Sequence, residues 1–178
     1  MYPQWDHSSS QTLWWKTPRN ISLFEVTKIA SFDLDWTLVK PRGTKFPKSI
    51  SDNVIMQNRI AILKQYRDNG FTLVIFSNQK VTPREKLDYK LSRMDNVLQL
   101  FASEGLYFIF FVATDDDEYR KPDIGMYAKL FTLCPNIKQG FYCGDAAGRT
   151  SDFSDSDLKF ADNCQLVFYT PEQVFGYH

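Results

Sequence analysis

Four groups of polar residues, spaced along a chain of 178 residues, could together carry out phosphoryl transfer. They are two aspartates, a serine-asparagine pair, a lysine and a late aspartate: Asp33 and Asp35, Ser77 and Asn78, Lys121, and Asp145. Carboxylates as close in sequence as Asp33 and Asp35 repel each other unless cations lie beside them. Lys121 and a metal ion held partly by Asp145 would be such cations, so these residue types could form one charged site.

The chemistry that suits this set is the hydrolysis of a phosphate monoester. Cations offset the repulsion between the monoester dianion and an anionic nucleophile, so that a carboxylate can attack phosphorus and form an aspartyl-phosphate. A second carboxylate two residues later can protonate the leaving oxygen and then activate water. A few carboxylates with open positions for water and phosphate oxygens suit Mg²⁺. Nitrogen- or sulfur-preferring metals fit poorly, because the only histidines, His7 and His178, lie near the chain ends.

Strand-like and helix-like segments alternate along the chain, which predicts a parallel sheet with helices on both faces. The predicted strands are residues 28–35, 71–76, 107–112, 140–143 and 165–169. The predicted helices are residues 51–69, a stripe from Leu87 to Phe101 announced by an N-cap at 82–85, residues 124–133 and residues 156–161. We therefore expect an α/β, Rossmann-like doubly wound domain over residues 11–178, with a flexible segment at 1–10. In such a sheet ligands bind beyond the carboxyl ends of the strands, where the polar groups lie.

Composition excludes several classes of protein. With 21 basic and 21 acidic side chains the chain has no net charge, so any contact with nucleic acid must be local. The sequence has no stretch long and apolar enough for a transmembrane helix, and its first residues do not resemble a secretion signal. Three cysteines without a C-x-x-C pair are typical of reduced thiols. We expect an intracellular protein that contacts no membrane, and the sequence does not distinguish nucleus from cytoplasm.

The polar groups resemble the four motifs of the haloacid dehalogenase superfamily of phosphohydrolases. The chain is more specifically similar to the phosphatase domain of polynucleotide kinase-phosphatases, the 3′-phosphatases of DNA repair. The matching strings are S-F-D-L-D-x-T-L at 31–38, K-F-P at 45–47, V-I-F-S-N-Q at 74–79, V-A-T at 112–114, Y-R-K-P at 119–122, G-D-A-A-G-R at 144–149 and D-F-S at 152–154. The Y-R-K-P and G-D-A-A-G-R strings are much more diagnostic than D-x-D alone. The resemblance implies the haloacid dehalogenase type of doubly wound sheet.

The resemblance also implies a role for each matching residue at the centre of the site. Asp33 would be the nucleophile and Asp35 the general acid and base. Mg²⁺ would be held by the Asp33 carboxylate, the Asp35 backbone carbonyl and Asp145. The phosphoryl oxygens would be held by three further residues: Ser77, Asn78 and Lys121.

Weaker correspondences concern the residues around that centre. Asp157, or as second choice Asp152, would be the supporting late acid. Thr37 is a candidate substrate contact, and Arg149 a candidate for either a substrate or a structural contact. Trp36 stands where glycine is common in the superfamily. Because the flanking Asp, Asp and Thr are intact, we do not expect it to abolish activity.

Two features of the chain favour a macromolecular substrate. The segments after the first two strands, residues 39–50 and 80–82, are too short to form a separate cap domain, and an uncapped pocket admits the end of a polymer. Basic side chains in and after both segments could grip a nucleic-acid backbone in a salt-dependent way, among them Lys40, Arg42, Lys80, Arg84 and Arg93. The resemblance makes Arg120 a candidate for either a substrate or a structural contact. The acidic run at 115–118 would oppose such a grip if it faced the same groove, and we interpret it as a solvated turn.

The expected substrate is a nucleic-acid end that bears a 3′-phosphate, and DNA is the favoured kind of nucleic acid. The chain has no G-x-x-x-x-G-K-[ST] loop, which predicts a phosphatase without the kinase. Three alternatives stay open at this point. One is a small-molecule phosphatase of the histidinol-phosphate or heptose-bisphosphate kind, although the chain cannot build the zinc loop common there. The others are a phosphoprotein phosphatase and a non-catalytic module that binds DNA ends.

Overall fold

The computed structural model describes residues 1–82 and 86–177. Nine strands lie in these residues: β1 Asp6–His7, β2 Leu13–Lys16, β3 Lys28–Phe32, β4 Val39–Lys40, β5 Val54–Ile55, β6 Thr72–Asn78, β7 Phe108–Ala113, β8 Gln139–Cys143 and β9 Val167–Tyr169. The α-helices are α1 Arg59–Asp68, α2 Leu87–Ala102, α3 Gly125–Leu133, α4 Ser156–Cys164 and α5 Pro171–Phe175, and residues Leu23–Glu25 form a 3₁₀ turn. No helix in the described ranges has the length and apolar character needed to cross a membrane.

The centre of the molecule is a sheet in the order β1-β2-β7-β6-β3-β8-β9. The five strands from β7 to β9 run parallel. Strand β7 is buried along its whole length, which explains its continuous apolar sequence. Successive residues of β3 point to opposite faces, so that Phe32 joins one hydrophobic cluster and Ile29 the other. Helices α1, α2 and α5 cover the first face, and α3 and α4 cover the second. The predicted doubly wound α/β fold is confirmed.

The N-terminus differs from the loose segment that its polar composition suggested. Strands β1 and β2 form an antiparallel hairpin, and β2 pairs antiparallel with β7. The Tyr2 hydroxyl exchanges hydrogen bonds with the backbone of Phe108, donating to its oxygen at 3.1 Å and accepting from its nitrogen at 2.8 Å. Trp5 packs edge-on against Phe110. These aromatic contacts cover apolar strand surface, and a search for periodic patterns misses them because they come from isolated residues.

The segment before α1 also differs from the predicted helix at 51–69. Strands β4 and β5 pair with each other as a small separate sheet, and α1 begins only at Arg59. Asn58 has a left-handed backbone conformation (φ 68°), which is incompatible with continuing the helix towards the N-terminus. The described residues between β3 and α1 therefore form a short hairpin and loops rather than a cap domain. Of the predicted N-cap at 82–85, residues 83–85 lie outside the described residues.

Candidate active site

The carboxyl ends of three neighbouring strands bring the predicted polar groups together. Strand β3 lies between β6 and β8, so the residues that follow these strands meet at one edge of the sheet. They line a cavity of about 750 Å³, together with residues of the Lys121 loop. Asp33, Asp35 and Asp145 are all in this lining. A parallel sheet with its central strands covered on both faces leaves this edge as the accessible place for a ligand.

Lys121 is the centre of a buried network of hydrogen bonds. Its ammonium group donates to the Asp33 carboxylate at 2.8 Å, to Asp157 at 2.9 Å and to the Tyr142 hydroxyl at 2.7 Å. The Tyr142 hydroxyl in turn donates to Asp157 at 2.7 Å. Burial by itself would lower the pKa of Lys121, but the charges of Asp157 and Asp33 more than offset it, so that the pKa is raised. Lys121 is therefore a permanent cation beside Asp33.

The carboxylates of this edge carry more negative charge than one lysine neutralises. Burial, followed by repulsion from Asp157, raises the pKa of Asp33 well above its usual range. Burial is also the largest cause of the raised pKa of Asp145. Asp33, Asp145 and Asp157 each offer an oxygen within 4.8 Å of the others. Hard oxygen donors at this spacing fit a Mg²⁺ ion.

The three acids differ in how far their oxygens are already engaged. One Asp157 oxygen accepts from Lys121 and Tyr142, and the other accepts the backbone N–H of Ala146 at 3.0 Å. Asp33 and Asp145 face the cavity and accept the Thr37 hydroxyl at 3.2 and 3.4 Å. Asp33 and Asp145 are therefore better placed to coordinate a metal ion, whereas Asp157 holds Lys121 and Tyr142.

Asp35 is held by Arg93 and Gln79, a role that the sequence did not predict for either. The prediction that Arg93 belongs to a basic surface gripping nucleic acid is wrong, because its side chain is buried. Arg93 of α2 donates to one Asp35 oxygen at 2.6 Å, and the Gln79 amide donates to the other at 2.7 Å. The Arg93 side chain is only 3% exposed and also donates to the Asn53 amide oxygen at 2.9 Å. An arginine in the middle of the apolar stripe of α2 was the available sequence signal, because a buried arginine needs partners.

The residues at the end of β6 serve different purposes. The buried Ser77 hydroxyl accepts a hydrogen bond from the Gln79 amide at 2.8 Å. The Asn78 side chain donates to the Lys121 carbonyl at 3.1 Å and accepts the Lys121 N–H at 2.9 Å. This pair of bonds ties the Lys121 loop to the end of β6, so Asn78 positions Lys121, where the resemblance implied a phosphate contact.

Thr37 lies beneath the carboxylates and away from the cavity. It is fully buried, so it supports Asp33 and Asp145 and is not available to a substrate. Its carbonyl accepts a hydrogen bond at 2.8 Å from Arg59, which is also buried and lies over the Phe175 ring. Arg59 is a second buried arginine that the sequence analysis did not single out.

The predicted basic residues divide into two groups. Lys80 and Arg120 line the catalytic cavity, and both form ion pairs with Asp116 of the acidic run. Lys40 and Arg42 line an adjoining shallow groove. Arg42 also donates to the carbonyl of residue 51 at 2.9 Å. Arg84, also predicted to contact nucleic acid, lies outside the described residues.

Of the two late acids, only Asp157 contacts Lys121. Asp152 instead accepts hydrogen bonds from the Arg149 guanidinium at 2.9 and 3.2 Å. Arg149 also pairs with Glu172 at 2.9 Å. Asp152 and Arg149 therefore hold together the loop after β8 and the start of α5. Within the described residues, Asp152 bonds to Ala147 and Arg149 and makes no contact with the Lys121 network.

Trp36 occupies the turn between Asp35 and Thr37 with a left-handed backbone (φ 63°). Glycine adopts this conformation without strain, which explains why it is common at this position in the superfamily. The half-exposed indole donates to the Lys45 carbonyl at 3.3 Å and lines both the cavity and the adjoining groove. Trp36 thus joins the turn that follows β3 to the loop that contains Lys45.

Comparison with known proteins gives relatives along most of the chain. An uncharacterised 20.8 kDa protein of Autographa californica nuclear polyhedrosis virus is 41% identical over 159 residues, 83% of this chain and 85% of that protein. The bifunctional polynucleotide phosphatase/kinase of Schizosaccharomyces pombe is 37% identical over 162 residues, covering 88% of this chain and 39% of that protein. The polynucleotide 3′-phosphatase ZDP of Arabidopsis thaliana is 33% identical over 175 residues, covering 88% of this chain and 25% of that protein.

The solved structures support the same fold. D,D-heptose 1.7-bisphosphate phosphatase from B. bronchiseptica, complexed with magnesium and phosphate, matches with a TM-score of 0.64 and 17% identity, over 82% of this chain and 80% of that one. The family model described as polynucleotide kinase 3 phosphatase matches residues 28–175. With the site geometry and the relatives in agreement, the chain belongs to the polynucleotide kinase 3 phosphatase family.

Proposed function

We propose that this phosphatase removes the 3′-phosphate from nucleic-acid ends, DNA above all, by way of an aspartyl-phosphate on Asp33. The observation that carries the proposal is the meeting of Asp33, its lysine partner Lys121 and Asp35 in one open cavity. The Asp33 side chain is 13% exposed, so one oxygen can bond Lys121 while the carboxylate still faces the cavity. The named function of the Arabidopsis and fission yeast relatives supports the same reaction.

The reaction would occur in two steps at Asp33. In the first, an Asp33 oxygen attacks phosphorus, the bond to the 3′-oxygen breaks, and Asp35 gives that oxygen its proton. In the second, Asp35 takes a proton from water, which attacks phosphorus and frees Asp33. Lys121 and the Ser77 hydroxyl would hold phosphoryl oxygens. Arg93 and Gln79 would keep Asp35 aimed at the leaving oxygen.

The donor set fits a magnesium ion as resident cofactor. Asp33 and Asp145, with the Asp35 backbone carbonyl, would hold it, and Asp157 lies beside them. When bound, Mg²⁺ supplies positive charge that offsets the repulsion between the carboxylates and a phosphate dianion. The magnesium in the structurally similar heptose-bisphosphate phosphatase supports this assignment.

The basic rim of the cavity supports a nucleic-acid substrate, and the free cysteines support an intracellular location. The cavity rim carries basic side chains, among them Lys45, Lys80 and Arg120, which suits a polyanion that extends beyond the scissile phosphate. No kinase motif occurs in the 178 residues, so we propose the phosphatase reaction alone for this stretch of chain. The free cysteines support an intracellular site.

The test is a comparison of substrates with the protein and an Asp33→Asn variant. Matched oligonucleotides bearing a 3′- or a 5′-phosphate, histidinol phosphate and a phosphopeptide are incubated with Mg²⁺, and released phosphate is measured. We expect selective 3′-release that disappears in the variant and with a chelator, while an Asp68→Asn control on the exposed end of α1 keeps full activity. Turnover of histidinol phosphate or the peptide without 3′-release would refute the substrate. Binding without any release would favour a non-catalytic module.

A further inference from the structure

The acidic run at residues 115–118 contains one carboxylate that engages the cavity rim. Asp116 pairs with Lys80, and its other oxygen lies 3.2 Å from the Arg120 guanidinium. The hydrogen bond from Lys80 lowers the pKa of the Asp116 carboxyl, so this group is ionised at neutral pH. Its neighbours make backbone contacts instead: Asp115 accepts the Asp116 N–H at 2.8 Å, and Asp117 accepts the Tyr119 N–H at 3.1 Å.

The two cations that Asp116 holds are fixed close to the catalytic centre. Lys80 follows the end of β6 by two residues, and Arg120 immediately precedes Lys121. The Asn78 side chain, bonded to the Lys121 backbone, ties these two segments together. Both cations line the same cavity as Asp33. A polymer whose terminal phosphate reaches Asp33 would therefore pass its next phosphates near them.

We propose that Asp116 competes with backbone phosphates for Lys80 and Arg120 and so limits how tightly the enzyme holds nucleic acid. This inference rests on the proposed function. All three side chains are between 37% and 55% exposed, and ion pairs at such exposure are individually weak. A phosphate can therefore replace Asp116, but the displaced carboxylate then repels it. The enzyme would hold its substrate less tightly than its basic rim allows, which favours release of the dephosphorylated end.

The experiment compares Asp116→Asn with Asp117→Asn, which removes the same charge from the same run. Asparagine at 117 keeps an oxygen that can accept the Tyr119 N–H, so the turn is preserved. Binding of a fluorescent single-stranded oligonucleotide with a 3′-hydroxyl is measured by anisotropy from low to high salt. Release of phosphate from the 3′-phosphorylated oligonucleotide and from p-nitrophenyl phosphate is measured beside it.

We expect Asp116→Asn to bind the oligonucleotide about 3- to 10-fold more tightly at low salt, since it releases two weak ion pairs. The slope of log Kd against log salt should steepen by up to about 0.7 for each freed cation. KM for the oligonucleotide should fall with it, while KM for p-nitrophenyl phosphate changes less than about twofold because that substrate has no further phosphates. Adding Lys80→Gln to Asp116→Asn should remove most of the gain.

Several results would overturn the proposal. One is equal affinity of Asp116→Asn and Asp117→Asn for the oligonucleotide, which would mean that any loss of negative charge from this run has the same effect. Another is an equal fall in KM for p-nitrophenyl phosphate, which would place the effect at the scissile phosphate. If the wild-type protein releases 3′-phosphate and Asp116→Asn behaves like Asp117→Asn, this inference alone fails. If no variant binds or dephosphorylates any oligonucleotide, the proposed function fails with it.

Discussion

Replacing Arg93 with methionine tests whether the aim of Asp35 depends on helix α2. The substitution keeps an unbranched, apolar side chain of similar length and removes the donors to Asp35 and Asn53. Asp35 is 36% exposed, so water can partly replace its lost 2.6 Å bond. The Asn53 oxygen is buried and loses a 2.9 Å donor. A buried acceptor left without a donor costs about 1–3 kcal/mol. Loss of the partly exposed ion pair with Asp35 adds about 1 kcal/mol.

The expected loss of stability is therefore about 2–4 kcal/mol, which a domain with about 5–15 kcal/mol of stability survives. The measurement is chemical denaturation, with Arg67→Met as the matched control. Arg67 also pairs with a carboxylate, Asp68 at 2.9 Å, but its side chain is 40% exposed. We expect the control to lose less than about 1 kcal/mol. Equal losses in the two variants would contradict the buried role of Arg93.

The kinetic part of the same prediction uses the leaving group. In the proposed mechanism the 3′-oxygen, a poor leaving group, takes its proton from Asp35, whereas p-nitrophenolate leaves without one. We expect Arg93→Met to slow 3′-release by about 10- to 100-fold, since misplaced general acids lose much of their contribution. The rate of the initial burst of p-nitrophenolate, which reports the attack by Asp33, should change less than about threefold. Arg93→Lys should recover part of the activity. If the burst and the 3′-release slow by the same factor, the proposed aiming of Asp35 is wrong.

Two further predictions concern packing and thiols. A Cβ at Gly144 would lie 2.4 Å from the Asp157 carboxyl carbon. We therefore expect Gly144→Ala to lower the free energy of unfolding by about 1–3 kcal/mol and kcat at least about tenfold. Gly43→Ala is the control: its Cβ would lie in open space, so the variant should behave like wild type in thermal melts and activity assays. Burial raises the pKa of the Cys134 thiol to about 11, so at pH 8 about one thiol in a thousand is ionised. We therefore expect iodoacetamide to label Cys134 only after the protein unfolds. Rapid labelling of the native protein would contradict the burial of this thiol.

Much of the fold and the centre of the site could be predicted from the sequence. Apolar runs such as that of β7 indicate strands covered on both faces. The polar residues that follow β3, β6 and β8 share one edge because these strands run parallel, so their carboxyl ends lie together. The spacing of Asp33 and Asp35 places both at the turn that ends β3. Local patterns determine each strand and the polar residues at its end, and the parallel α/β class that the strands imply predicts that those ends lie together.

The remaining features depend on packing between distant segments. The sequence left both Asp157 and, as second choice, Asp152 as the late acid. Only Asp157 meets Lys121, because α4 packs so that its first turn faces the end of β8. The bond between Arg93 and Asp35 joins residues 58 positions apart and exists only once α2 lies on the sheet. The sequence by itself thus determined that Asp33, Asp35, Lys121 and Asp145 could meet in one site. Tertiary structure decided which partners hold them, since a buried charge takes the oppositely charged or polar group that packing brings to it.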